Sequence, residues 1–186
     1  MIKPFKQAGF TVIEIMVVVV IISVLIAVMI TNFPSLRSRF SLSEVVHQFG
    51  QDVRRAQALA LASVDYQDAS GNFNVVDGYG VYINLDTLGD KKYLIFADKA
   101  PGNQQYDSSD YVVETIDLAN SGAKISNIDG VLGNSVSIMM KTKTMETIIH
   151  SLAPERSDVR VIFSLVDDSA QTRSVVINTS GLSEVK

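Results

Sequence analysis

Gly9-Phe10-Thr11-Val12-Ile13-Glu14 opens an apolar run, and residues 15–30 continue it as Ile-Met-Val-Val-Val-Val-Ile-Ile-Ser-Val-Leu-Ile-Ala-Val-Met-Ile. Ser23 is the one weakly polar side chain in those 16 residues. Counted from Phe10, the segment is 21 residues long. At a helical rise of about 1.5 Å per residue it spans about 30 Å, one hydrocarbon core. A secretory signal has an apolar core of about 7–15 residues, with a small-residue cleavage site after it. Here the run is longer, the small residue Gly9 precedes it, and Asn32-Phe33-Pro34-Ser35-Leu36-Arg37 follows it. The pattern predicts a retained membrane helix over residues 10–33, behind a polar leader of residues 1–9. Lys3 and Lys6 lie before the run and Arg37 and Arg39 after it, so charge alone does not orient the span. A nine-residue leader is easily left in the cytoplasm, which places the bulk of the chain outside.

One carboxylate, Glu14, sits at the mouth of this segment. At mid-bilayer a carboxylate costs about 3 kcal/mol on insertion scales, and less near an end. Glu14 is near an end, so one reading has it reach the headgroups. A second reading takes Gly9-Phe10 as a cleavage junction. Cutting there would expose an α-amine on Phe10, protonated near neutral pH. That amine is an ion-pair partner for a carboxylate one turn away, or for one on a neighbouring chain. A buried pair stabilises only with both members present, so it favours one register of packing between helices.

The remaining chain is long enough for one ordinary domain. It holds no Cys, which excludes disulfides and thiolate metal sites. The net charge is −4 overall, and residues 64–186 carry 10 basic and 17 acidic side chains. Such an acidic domain lacks the basic surface that phosphate contacts need, which argues against nucleic acid as a partner.

Pro34 predicts a break or kink in the helix. Ser41 or Ser43 is the expected N-cap of a second helical stretch, residues 34–63. There Leu42, Val45, Phe49, Val53, Ala56 and Ala60 recur every three or four residues as one apolar stripe. Arg54, Arg55, Asp52 and Gln51 fall largely off it. From Gly71 the texture turns to short β-rich runs at residues 79–83, 92–96, 111–116, 136–140, 159–165 and 174–178. Residues 167–172 read as a hairpin loop, and Pro154 as part of the connection before it. The predicted fold is α+β: a long N-terminal helix whose second half packs on a β-rich domain, residues 64–186, of roughly six to eight mostly antiparallel strands.

Candidate chemistry elsewhere is sparse. His47 and His150 are the two histidines, and no nucleophile motif or ligand set accompanies either. Gly78-Tyr79-Gly80 lacks the downstream glycine and helix onset of a phosphate loop, and glycines beside aromatics mark a bulge or strand entry. These absences predict no enzyme. One loop gathers Asp98, Asn103, Asp107 and Asp110, a donor set that calcium could use. It fails the EF-hand spacing, and Asp, Asn and Ser are also what solvated turns use. No cofactor is expected, calcium at this loop being the one candidate.

Lys6, Gly9, Phe10, Thr11, Glu14 and the aliphatic run resemble the N-terminus of type IV pilins and type II secretion pseudopilins. The resemblance implies cleavage after Gly9 by a membrane aspartyl prepilin peptidase and N-methylation of Phe10. It also implies that Glu14 guides the helix into a growing filament of pilin or pseudopilin subunits. The expected site is then the cytoplasmic (inner) membrane, with the domain outside, and afterwards a pilus or pseudopilus. Residues 53–63, 78–83 and 175–181 look like the GspH/FimT group of minor pilins and pseudopilins. Some members of that group are linked to DNA uptake through basic residues after the closing glycine. Here Gly181 is followed by Leu182-Ser183-Glu184-Val185-Lys186, which departs from that pattern. The leading expectation is a minor filament subunit; the alternatives are a major pilin forming the shaft and a DNA-binding minor pilin.

Overall fold

The structure, a computed structural model, describes residues 9–68, 70–144, 146–151, 153 and 156–186, with the backbone alone for residues 31–36. The expected leader, with Lys3 and Lys6, and the expected turn residue Pro154 lie outside the described residues. The chain divides into two compact units, Met1–Ser38 and Arg39–Lys186.

One helix, α1 (Val12–Leu61), belongs to both. It runs through Pro34, so the break foreseen there does not occur; a proline removes one N–H from the ladder, and the turns on either side continue. No new helix starts at Ser41 or Ser43, because both lie inside α1. Ser41 donates its hydroxyl to the Ser121 carbonyl, a tertiary bond in place of a cap. The helix closes on a Schellman motif. Val64 N–H bonds Leu59 O at 3.4 Å and Ser63 N–H bonds Ala60 O at 3.0 Å, with Ser63 left-handed at φ 48°.

Eleven strands follow among the described residues. Two short ones, β1 (Tyr66–Gln67) and β2 (Phe73–Asn74), pair as a ribbon. A five-stranded sheet is built from β3 (Val76–Asn84), β4 (Lys92–Lys99), β5 (Tyr111–Asp117), β7 (Ser135–Lys141) and β8 (Thr147–His150), in the order β5-β4-β3-β7-β8. A four-stranded sheet holds β6 (Ala123–Asp129), β9 (Asp158–Leu165), β10 (Thr172–Asn178) and β11 (Ser183–Val185), in the order β11-β10-β9-β6. Every pairing is antiparallel.

A strand ending at His150 is expected from the sequence and is β8; the count exceeds six to eight because β6, β11 and the ribbon are additional. In β6 a register shift between Ile125 and Asn127 breaks the two-residue alternation. The expected tail after Gly181 is strand β11, which forms the edge of the smaller sheet. Gly181 turns the chain at φ 80°, and its carbonyl accepts the Gln57 side-chain amide of α1 at 2.7 Å.

Within the second unit, residues 39–61 of α1 supply the apolar stripe read from the sequence. Leu42, Val45, Phe49, Val53, Ala56 and Ala60 are all buried, with Val46 beside them. Their partners are the inward positions of both sheets, such as Tyr79, Val81, Tyr93 and Ile95 on one side and Val161, Phe163, Val175 and Ile177 on the other. The Phe49 ring meets Tyr93 edge-on at 5.1 Å and Phe163 at 5.3 Å. Tyr93 keeps its hydroxyl bonded to Asp52 Oδ2 at 2.6 Å, so its buried ring leaves no orphan donor. Phe49→Ala should cost about 3–5 kcal/mol, whereas His47→Ala, on the exposed face two residues earlier, should stay within about 0.5 kcal/mol. Urea unfolding of the full chain in detergent checks both.

Candidate functional site

The first unit is considered by itself. Gly9 and Phe10 precede the helix and are exposed. Thr11 is the N-cap. Its hydroxyl accepts the Glu14 N–H at 3.3 Å, and Glu14 Oε2 accepts the Thr11 N–H at 3.4 Å. This reciprocal pair is a capping box, which satisfies two of the backbone donors that a helix start leaves open. Phe10 follows Gly9 in the chain through an amide, and that nitrogen carries no charge. Thr11 stands in the string that carries the family resemblance, and its capping role is the addition the structure makes; the Thr-x-x-Glu spacing before an apolar run is the signal that marks it.

From Val12 to Ile30 the helix has a mean hydropathy of 3.2 and none of it is buried within the protein, a length and composition sufficient to cross a membrane. Ser23 donates its hydroxyl to the Val19 carbonyl at 2.8 Å, which satisfies the one hydroxyl of the run within its own helix. Phe10, Glu14, Ile15, Val18 and Val19 line a shallow groove of about 250 Å³. Glu14 and Val18 share one helix face by their spacing of four, and Phe10 joins them from just before the helix. Glu14 therefore presents its carboxylate beside an apolar strip open to a neighbour.

The calcium candidates lie in the second unit, in the β4–β5 connection. That segment is a strap over the outer face of the five-stranded sheet. Tyr106 packs on Tyr82 at 4.6 Å and on Phe96 at 5.4 Å, and its N–H bonds Ser137 Oγ at 3.0 Å. Gly80, the position opposite Phe96, leaves room for this layer: a Cβ there would lie 2.8 Å from the Phe96 ring. The expected irregularity is present as well, between Val76 and Gly78.

The strap's acids are used by its own amides. Asp110 accepts the Lys99 and Asp107 N–H groups at 3.0 and 2.8 Å. Asp107 accepts the Ser109 N–H at 2.7 Å and the Asn103 side-chain amide at 2.6 Å. The Ser109 hydroxyl and N–H hold its carboxyl below the ordinary range. Asp98 Oδ2 accepts the Gln104 N–H at 3.1 Å. Among the described residues, no group of three or more acids or histidines converges as a metal site. His47 and His150 are both exposed.

Residues 4–30 match the family model described as the prokaryotic N-terminal methylation motif. The matched stretch contains the Thr11–Glu14 cap and the apolar segment Val12–Ile30. Among solved structures, the chain is similar to the type IV minor pilin FimU of Pseudomonas aeruginosa strain PAO1, at 9% identity and a TM-score of 0.48, over 80% of this chain and 90% of that one. No curated protein matches significantly.

Asp98 provides a test of the strap. Its side chain is 1% exposed, and Oδ1 has no partner among the described residues. Burial pushes its carboxyl up to about 6, against the Gln104 N–H that lowers it, with Asp110 and Asp77 adding repulsion. A carboxyl raised in the folded state binds its proton more tightly there than when unfolded. Stability should therefore fall as pH rises from about 4 to about 6 and level off above, by about 2–3 kcal/mol. Asp98→Asn keeps an acceptor for Gln104 and carries no charge. It should raise the melting midpoint at pH 7 and flatten that pH dependence, as thermal melts across the range will show.

Proposed function

We propose that this protein is a structural subunit, a minor pilin or pseudopilin, of a type IV pilus or type II secretion-type filament. In this reading it is processed after Gly9, methylated on Phe10 and packed through its N-terminal helix. The carrying observation is the Thr11–Glu14 cap at the mouth of a fully exposed apolar helix that matches the methylation motif. Nineteen residues of aliphatic surface need a cover, first lipid and then the helices of other subunits.

Cleavage after Gly9 creates an ammonium group at Phe10 and leaves Glu14 with one carboxylate oxygen outside the cap. That oxygen pairs with the new amine of the same or a neighbouring subunit, and the pair selects the register in which helices pack. Before cleavage the charge has no such partner, so the leader delays assembly until the subunit is mature. The domain lies outside the cytoplasm and the helix in the inner membrane until the subunit joins the filament.

The partners in this reading are other pilin or pseudopilin subunits and the prepilin peptidase. The C-terminal segment supports protein partners over nucleic acid, because residues 183–185 are fixed in β11 and Lys186 pairs with Glu184 at 3.3 Å. No catalytic role is assigned. The strap works without calcium, since its carboxylates already serve its amides; millimolar calcium should leave the melting midpoint unchanged.

Gly9→Leu should block processing, and mass spectrometry that still finds Phe10 as the N-terminus would refute the junction. Glu14→Val should insert into the membrane and fail to enter filaments. Glu14→Gln retains a capping acceptor and loses the charge. If it too is absent from sheared filaments, the charge is what assembly needs; incorporation at the wild-type level would reduce Glu14 to a helix cap.

A further inference from the structure

At one end of the second unit, a groove of about 380 Å³ is lined by Arg39, Leu42, Ala170, Gln171, Thr172 and Arg173. Arg39 comes from α1 and Arg173 from β10. Arg173 shares the inward face of β10 with buried Val175 and Ile177, but it lies past the edge of the core. The two guanidinium groups thus flank one concavity. No carboxylate is among its lining residues, and neither arginine has an ion-pair partner among the described residues. Asp167 and Asp168 stand on the same hairpin. Asp168 is turned into its own bend, where it accepts the Ala170 N–H at 3.2 Å and the Gln171 side-chain amide at 2.8 Å.

Two like charges beside one hollow repel, and an anion between them relieves that repulsion. The guanidinium fork matches a phosphate oxygen pair in spacing and plane. Phosphate as a free ion or as a lipid headgroup offers this chemistry. The chain favours the second source. Eight residues separate Ile30, the end of the membrane-length segment, from Arg39. Whatever path those residues take, they keep Arg39 within about 30 Å of that segment. Residues 64–186 carry a net −7, which an anionic membrane surface repels, so a local cationic hollow is where such a surface gains contact.

We propose that the Arg39–Arg173 groove binds the phosphate of an anionic lipid headgroup and so docks the β domain on the membrane from which the subunit is drawn. The test reconstitutes the full chain in nanodiscs, either of phosphatidylcholine alone or with about a third phosphatidylglycerol, and reads amide hydrogen exchange over residues 166–174. Protection should rise about fivefold or more in the anionic discs. It should vanish in about 0.5 M salt, which screens exposed charges within a few ångströms and needs no variant. Arg39→Gln/Arg173→Gln should abolish the difference while strands β3 and β4 remain protected. Equal protection in both discs overturns the proposal, as does a difference that survives in the double variant. Millimolar inorganic phosphate reproducing the protection in phosphatidylcholine discs would overturn the lipid assignment.

Discussion

Phe49 is the residue on which the second unit closes. Its ring touches Tyr93 of the larger sheet and Phe163 of the smaller one, and it has no exposed surface. Each sheet presents one apolar face, and that face must be covered to be stable. The helix stripe from Leu42 to Ala60 covers both at once. Because the same few side chains serve two sheets, the rotation of the helix is fixed within that unit. The polar ties follow from this: Asp52 reaches Tyr93, Arg55 reaches Glu114 at 2.6 Å, and Gln57 reaches the Gly181 carbonyl.

The same helix meets an opposite demand in its first half. There the side chains are apolar apart from Glu14 and Ser23, and none of the segment Val12–Ile30 is buried among the described residues. A helix in hydrocarbon must satisfy its polar groups internally. This one does so with two local devices, the Thr11–Glu14 cap and the Ser23 bond to Val19. With its own polar groups settled, the run has only apolar surface and one carboxylate to offer a neighbour. In the proposed reading the two halves therefore differ in what completes them: the second is completed by its own chain, and the first by lipid or by other chains.

How much of this was legible depends on periodicity. The stripe from Leu42 to Ala60 repeats every three to four residues without interruption, and every member of it is buried. Six strands are rich enough in β-branched, aromatic and aliphatic residues to be read, and all six form. Strand β6 hides because its bulge shifts the alternation after Ile125. Strand β11 hides because three residues carry too little pattern, and its place is set by pairing with Val175, Val176 and Ile177. The break expected at Pro34 does not occur for a related reason: proline is a local signal, and the residues on both sides belong to one helix. At the N-terminus the reading saw Glu14 as a charge and overlooked it as a cap. The two roles use the same atoms, and only the bond to Thr11 separates them.

That double use bears on why a carboxylate occupies this position. A cap alone asks for an acceptor, which a neutral amide supplies as well. An ion pair alone asks for a charge, which has no partner while the leader is attached. Glu14 meets both demands in sequence. In the proposed reading its bond to the Thr11 N–H offsets part of the desolvation cost before processing. Its second oxygen stays available for an amine that processing would supply. The strap acids show the same economy in the other unit, since Asp107 and Asp110 are charges made tolerable by the amides they receive. Asp98, buried with one oxygen unpaired, is the exception among them. What distinguishes Glu14 is its setting: it lines a groove on the exposed apolar helix, and in the proposed reading another molecule, or a new N-terminus, completes its spare oxygen.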